Sequence, residues 1–444
     1  MSRFDGQGVD SPYAVFRLMV ALALSTIGGV GMYSVVVVLP AVQAEFGIDR
    51  SDASLPFTAT MIGFGLGGML MGWLSDRFGI MVPVMLGAVS IGAGFTLAGQ
   101  AGGLWSFVLA QGLIGLLGSS ATFSPLMADT SLWFERRRGI AVAVCASGNY
   151  LAGTVWPPIV QHLVETVGWR TAYAGIGLFC FATILPLAML LRRRPPQVST
   201  QTAAALAAAA QAEPAIPAAP GAAAAAAAAA ATDAPAPRPG LAPALPRGIT
   251  PGTLQTLLIV AGVSCCVAMS MPQVHIVALC GDLGYGPARG AEMLSLMLGL
   301  GIVSRLASGF ICDRIGGLRT LLLGSVLQGI ALLMYLPSNS LMSLYLVSAL
   351  FGLFQGGIVP SYAIVVRENF PPAQAGTRIS VVITATLFGM AIGGWLSGRI
   401  HDLTGSYQAA FVNGIAWNAL NIAIVLFLLH RSRGAGLRPI SAAA

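Results

Sequence analysis

Apolar stretches long enough to cross a bilayer recur twelve times along the 444 residues, separated by short polar breaks. They run roughly 14–40, 54–75, 81–100, 104–128, 139–163 and 171–191, then 254–279, 290–312, 319–337, 341–366, 378–400 and 408–430. The chain is 56% hydrophobic and only 9% charged, against about 25% charged in a typical soluble domain. Such a chain cannot present a wettable surface. It reads as an all-α membrane protein of twelve transmembrane helices, with the lipid bilayer as its solvent.

The spacing divides the spans into six and six. Residues 1–192 form an N-terminal six-helix bundle, 253–432 a C-terminal one, and 433–444 a tail. Between the bundles, 193–252 holds GAAAAAAAAAATDAPAPRPG, rich in Ala and Pro and without an apolar stripe to bury. This segment is expected to be a disordered cytoplasmic linker without chemistry. The first apolar stretch, Tyr13 to Val42, is too long for a signal-peptide core and reads as a first span. The arginines set the orientation. With both termini inside, seventeen of the 23 fall in inner loops and four, Arg50, Arg170, Arg289 and Arg399, in outer ones. The positive-inside rule therefore predicts cytoplasmic termini, in a bacterial inner membrane.

The same tally disposes of nucleic-acid binding. The sequence pI is near 9.4, but topology explains where the arginines sit. Six cysteines fall within or at the ends of apolar segments, at no spacing that suggests a metal site or a disulfide frame. They read as small packing residues. The G-F-G-L-G-G stretch from Gly63 lies inside an apolar span with no strand before it, so it is helix packing and not a nucleotide loop. No cofactor or metal is expected.

One charge breaks the pattern. Arg305 lies eight residues before Asp313 in LSLMLGLGIVSRLASGFICDRIGG, about 12 Å of helical rise. With Asp313 at the membrane surface, Arg305 sits near the middle of an apolar layer about 30 Å thick. A cation there costs at least a few kcal/mol without a partner. Almost all sixteen acids fall in loops or at span ends, and Asp129, the deepest, lies at the end of span 4. Two readings stand. Arg305 holds a substrate anion, for which its guanidinium fork is suited, or carbonyls, water or a structural acid such as Asp129 satisfy it.

Two corners repeat. Gly72 to Gly79 reads G-W-L-S-D-R-F-G, and Gly309 to Gly316 reads G-F-I-C-D-R-I-G, 237 residues later. Both join the second and third spans of their half. Repeated halves with a site between them are the usual plan of secondary transporters. The corners resemble the signature between helices 2 and 3 of the major facilitator superfamily. Its gating positions map onto Gly72, Asp76, Arg77 and Gly79, and onto Gly309, Asp313, Arg314, Gly316 and Arg319. The first copy departs from the pattern, with Ile80 and Met81 where basic residues are expected. The resemblance covers the whole chain and implies a major facilitator fold. Asp76 and its equivalent would latch the halves on the inner side, and breaking the latch would accompany inward opening.

A finer resemblance lies in W-F-E-R-R-R-G (Trp133 to Gly139), ASGNYLAGTVWPP (Ala146 to Pro158), FGLFQGGIVPSY (Phe351 to Tyr362) and FGMAIGGWLSGRIHDLTGSY (Phe388 to Tyr407). These are similar to the monocarboxylate porter branch, which includes the oxalate–formate exchangers and proton–lactate carriers. The resemblance implies that Arg305, at the matching helix 8 position, binds a substrate carboxylate. The chain departs from animal-type members, which carry an aspartate one turn before that arginine and a lysine in helix 1. Gly301 stands at the first position, and the chain has no Lys. The second basic residue of the oxalate exchangers, in helix 11, is missing from 379–398. A single cation favours a monoanion.

His275, in M-P-Q-V-H-I-V, lies about two turns inside the outer surface. Its ordinary pKa near 6.5 suits proton exchange, and it is the candidate for proton coupling. His162, His401 and His430 read as interfacial. Tyr33, Asn149, Gln355 and Tyr362 are mid-span polar residues placed to line a cavity or to bond a neighbouring helix. The expected protein is a monomeric secondary transporter of a small organic monoanion, by proton symport or anion exchange. The alternative is a proton-driven exporter of drugs or metabolites. A membrane enzyme would need paired catalytic acids or an H-E-x-x-H pattern, and neither occurs.

Overall fold

A computed structural model describes residues 8–134, 138–193 and 248–432. The predicted linker apart from its edges, the 135–137 corner and the 433–444 tail lie outside the described residues. Twelve helices are long and apolar enough to span a membrane. They are α1 (Pro12–Phe46), α2 (Arg50–Phe78), α3 (Met81–Gly99), α4 (Leu104–Trp133), α5 (Gly139–Val167) and α6 (Trp169–Leu190). The second half holds α7 (Pro251–Asp282), α8 (Pro287–Ile315), α9 (Gly317–Tyr335), α10 (Leu341–Asn369), α11 (Gln374–Thr404) and α12 (Tyr407–Ser432). All twelve coincide with the spans read from the sequence. An even number puts both chain ends on one face, called here the termini face, and leaves a far face opposite.

The helices sort by what their side chains meet. Large apolar residues of α3 (Val82, Leu86, Val89), α6 (Leu178, Phe179), α9 (Leu323, Val326, Leu333) and α12 (Leu420, Leu426, Phe427) are exposed on the outside of the bundle. In lipid that exposure is favourable, and these four helices support the others. Within each half the inner helices meet through glycines. A Cβ on Gly67 of α2 would stand 1.9 Å from the Leu116 carbonyl oxygen of α4. In the second half a Cβ on Gly352 of α10 would stand 2.0 Å from the Met297 carbonyl oxygen of α8, and one on Gly356 2.2 Å from that of Gly301. Lipid tails are as apolar as leucine, so close backbone packing of this kind has to hold the helices together.

The repeat seen in sequence is present in the backbone. Gly79 (φ 84, ψ 164) and Gly316 (φ 82, ψ 166) close the two motif corners with nearly the same dihedrals. That region is open in practice to glycine alone, which is why the motif ends in it. α4 opens into a π turn over Ile114–Ser119, and α10 breaks at Gly356–Gly357, 237 residues beyond Ser119–Ser120 where that π turn ends. α1 breaks at Gly28–Gly29. There the indole of Trp156 on α5 donates to the Thr26 carbonyl at 2.9 Å, supplying a partner that the broken helix lacks.

Asp129, the deepest acid, is committed inside the N-terminal half. Arg17 of α1 grips it with two hydrogen bonds of 2.8 and 2.9 Å, and a third goes to the Leu191 carbonyl at 3.1 Å. Both side chains are nearly water-free, at 3% and 8% exposure. The Trp133 ring stacks over the guanidinium at 4.8 Å. Asp129 is therefore the partner of Arg17 and not of Arg305. An Asp129→Asn variant leaves the Arg17 cation buried without its counter-ion and should lose about 3 kcal/mol of stability. Thermal unfolding in detergent reads this as a clear fall in Tm, and an Arg17→Met/Asp129→Leu double variant should recover most of it.

Candidate functional site

A cavity of about 180 Å³ lies between the two halves. Two pairs of helices wall it. On one side α5 and α8 contribute Asn149, Tyr150, Leu298 and Arg305, with Tyr33 of α1 and Gln273 of α7 beside them. On the other, α2 and α11 contribute Phe57, Met61, Phe64, Met69, Leu387 and Met390, among others. The cavity reaches from the level of Phe57, about a quarter of the way along α2, to Ser380 near the start of α11. It therefore extends towards the termini face.

Arg305 is the one charged residue on this wall. Among the described residues it has neither a salt bridge nor a hydrogen-bond acceptor, and its Nε is buried without a partner. The ring of Tyr150 lies 4.5 Å from the guanidinium carbon. Such a contact stabilises a cation by about 1–2 kcal/mol, less than a carboxylate would. Tyr150 is there because of Gly301. A Cβ on Gly301 would stand 2.5 Å from Tyr150 Cε1, so the glycine opens the space that the ring fills one turn from Arg305. Gly153 does the same for Tyr33, since a Cβ there would lie 2.8 Å from Tyr33 Cζ. The aspartate expected at Gly301 from the resemblance is thus replaced by an aromatic face.

The other residues singled out from the sequence divide. Tyr33 and Asn149 line the cavity with Arg305. Gln355 is fully buried behind it and accepts from Gln273 Nε2 at 2.9 Å, so Gln273 presents that pair to the cavity. Tyr362 does not reach the wall. Its hydroxyl donates to Asn421 Oδ1 at 2.8 Å inside the second half, an interhelical bond of the kind that polar mid-span residues often make. His275 also turns away from the cavity. It is fully buried, with Nε2 2.8 Å from the Gly394 carbonyl oxygen and its ring 5.7 Å from that of Tyr407.

His275 points instead towards a cluster that closes the far face. Arg50, at the start of α2, donates from Nη2 to both oxygens of Asp282, each at 3.0 Å. Asp402, at the end of α11, accepts from the backbone amides of Arg50 at 2.9 Å and Ser51 at 2.7 Å. A carboxylate on those first amides also meets the positive end of a long helix dipole. His401 stands 3.8 Å from Asp282, and Thr58 donates to the Ala391 carbonyl at 3.0 Å. A hydrogen bond from Ser295 to the Thr154 carbonyl joins α8 to α5. Apart from His401–Asp282, which lies within the second half, these contacts cross between the halves, and all lie nearer the far face than Arg305 does.

The termini face differs. Asp76, Arg77, Asp313, Arg314 and Arg319 of the two motif corners are exposed. Arg77 stacks on Trp73 and Phe78 of its own helix, at 5.6 and 5.4 Å. Glu368 of α10 accepts from the Gly317 amide at 2.9 Å, within the second half. Among the described residues no hydrogen bond or ion pair joins Asp76 or Asp313 to the opposite half. The motif latch expected from the resemblance is open, and the far face is shut.

Sequence reasoning missed Tyr150, Gln273, Asp282 and Asp402. The last two carried a readable signal, as acids at outer span ends across the repeat from Arg50. Tyr150 carried none, because its role depends on a glycine in a helix of the other half.

The family model described as Major Facilitator Superfamily matches residues 20–316 and 256–444. Monocarboxylate transporter 13 of Bos taurus is 27% identical over 360 residues, 80% of this chain and 75% of that protein. The Agnestins efflux protein AgnL12 of Paecilomyces divaricatus is 20% identical over 396 residues, 88% and 82% of the two chains. Among solved structures, a bacterial homologue of the human lysosomal transporter Spinster, crystallised in an inward-facing and occupied conformation, aligns with a TM-score of 0.65. It covers 96% of this chain and 97% of its own, at 12% identity, and it supports the fold alone. The match over nearly the whole chain, on twelve spans in two repeated halves, places this protein in the Major Facilitator Superfamily of transporters.

Proposed function

We propose that the protein moves a small organic monoanion across the membrane by alternating access, with Arg305 as the carboxylate clamp. One observation carries this reading: Arg305 faces the inter-half cavity with no acid to neutralise it. A cation in that position attracts an anion from solution, and its planar fork suits a carboxylate. Tyr33 and Asn149 stand beside it to hydrogen-bond the bound acid, and Gln273 lends a further amide. The monocarboxylate transporter relative supports the substrate class. The arginine distribution supports a cytoplasmic termini face, which makes the conformation described above inward-open.

The cycle follows from electrostatics. An empty site holds an uncompensated charge, and occluding it in a low-dielectric interior is costly. A bound monoanion cancels that charge, so the loaded carrier reorients more readily than the empty one. Reorientation then requires the Arg50–Asp282 pair and the Asp402 cap to part as the motif latch forms. Export driven by protons is the second reading, and the efflux relative favours it. It would want an acid on the cavity wall of the N-terminal half, whereas Asp129 is locked to Arg17 away from the cavity.

Three outcomes test this. In proteoliposomes, Arg305→Ala should abolish uptake of the best labelled monocarboxylate, and Arg305→Lys, which keeps the charge without the fork, should raise KM about tenfold. Normal transport by Arg305→Ala sinks the clamp. Asp282→Asn removes a half-exposed ion pair of about 1 kcal/mol and should shift the carrier about fivefold towards far-side opening. A cysteine placed at Thr58 would then label faster with an impermeant maleimide from the far face. Under proton symport, uptake should follow an imposed pH gradient and His275→Gln should flatten that response. Indifference to the gradient, with stimulation by anion loaded on the opposite side, assigns exchange and removes His275 from the cycle.

A further inference from the structure

The cavity is larger and greasier than a two- or three-carbon acid requires. At about 180 Å³ it has room for about a dozen waters at ~15 Å³ each, several times the bulk of a formate or lactate. Its charged, amide and phenol groups are gathered. Arg305, Tyr150, Asn149 and Tyr33 gather on the α5–α8 side, with Gln273 adjoining. The facing α2–α11 side contributes Met61, Phe64, Met69, Leu387 and Met390, with the small hydroxyl residues Ser380, Thr384 and Thr386 of α11 among them. A bound anion anchored at Arg305 therefore projects the rest of itself onto thioethers and an aromatic ring. Methionine walls adapt to irregular apolar shapes and favour contact with aromatic edges.

Two further details fit the same ligand. The anchor is flanked by aromatic faces: Tyr150 lies against Gly301 and under the guanidinium, and Tyr33 lies against Gly153. With no acid at position 301, no carboxylate among the described residues of the wall repels a bound carboxylate or rewards an ammonium group on the substrate. Short acids would leave the Met–Phe wall facing water, which contributes no binding.

From this we infer that the transported monoanion carries a bulky apolar body, an aryl-alkanoate or a medium-chain alkanoate, and that acids of one to three carbons are poor substrates. The inference rests on the monoanion reading of Arg305 and narrows it. It assigns Met61, Phe64 and Met390 as the residues that set specificity, and Tyr150 as the aromatic neighbour of the clamp.

The experiment is equilibrium binding by calorimetry on the purified full-length carrier in detergent, which avoids passive leak of apolar acids through vesicles. The probes are acetate, lactate, butyrate, hexanoate and phenylacetate, with phenylethanol as the uncharged control. The expected result is a Kd that falls about fourfold per added methylene, tightest for hexanoate or phenylacetate, with no binding of phenylethanol. A Met61→Ser/Met390→Ser variant should flatten the series. If lactate or acetate binds as tightly as phenylacetate, and Arg305→Ala abolishes both, the apolar-body inference is overturned and the monoanion reading stands. If Arg305→Ala still binds phenylacetate with the parent's Kd, the clamp itself is overturned. The unmodified protein decides the first question by itself should the serine variant fail to fold.

Discussion

A guanidinium held in the middle of an apolar bundle without a counter-ion is the constraint from which the rest follows. Two arginines of this chain enter the membrane-spanning region, and the protein treats them in opposite ways. Arg17 is neutralised by Asp129, satisfied by a backbone carbonyl and covered by Trp133. Arg305 keeps a buried Nε without an acceptor and rests on one tyrosine ring. The contrast matters because it shows that the fold can complete a buried charge. Where it does not, the proposed function leaves the missing partner to the ligand. A fully paired Arg305 would have no differential affinity for anions between states, and binding would drive nothing.

The second constraint is that the charge must become accessible from one face at a time. Here the two ends of the molecule are closed by different physics. The far face is held by a partly screened ion pair, a carboxylate on a helix N-terminus and a few hydroxyl-to-carbonyl bonds. Each is modest, on the order of 1 kcal/mol. Modest contacts suit a gate, since the sum must be reversible on the scale of a few kcal/mol if ligand binding is to shift it. The glycine-mediated contacts inside each half are of another kind. Atoms at such close approach permit no intermediate spacing, so each half is packed as a rigid unit.

Much of this was legible in the residues. The twelve spans, the repeat and its 237-residue offset follow from hydropathy and two octapeptides, because the bilayer imposes length and the corners impose glycine. Arg305, Tyr33 and Asn149 were visible as polar atoms in apolar runs. What sequence does not show is the direction in which a mid-span polar residue points. Tyr362 and His275 looked equivalent to Tyr33, yet the first bonds Asn421 and the second Gly394 inside the protein. Helical phase relative to a pseudo-symmetry axis decides this, and phase is a property of packing. Tyr150 was illegible for the same reason, since its meaning lies in Gly301 of a different helix.

That pairing of Tyr150 with Gly301 bears on coupling. In a carrier with an aspartate one turn from the clamp, the same cavity holds both a site for the anion and a site for the proton. With glycine there, the cavity wall has the first and lacks the second, because a tyrosine ring stabilises the cation without taking up a proton at neutral pH. Any titrating group must therefore act from elsewhere. The groups at hand are His401 and His275, both close to the far-face cluster of Arg50, Asp282 and Asp402. A proton bound there would change the strength of the gate and not the affinity of the clamp. Anion binding and proton binding would then meet only through the rocking of the two halves. Of the two proposed modes, proton symport would need this conformational route, whereas anion exchange, in which the substrate alone licenses reorientation, needs no proton site.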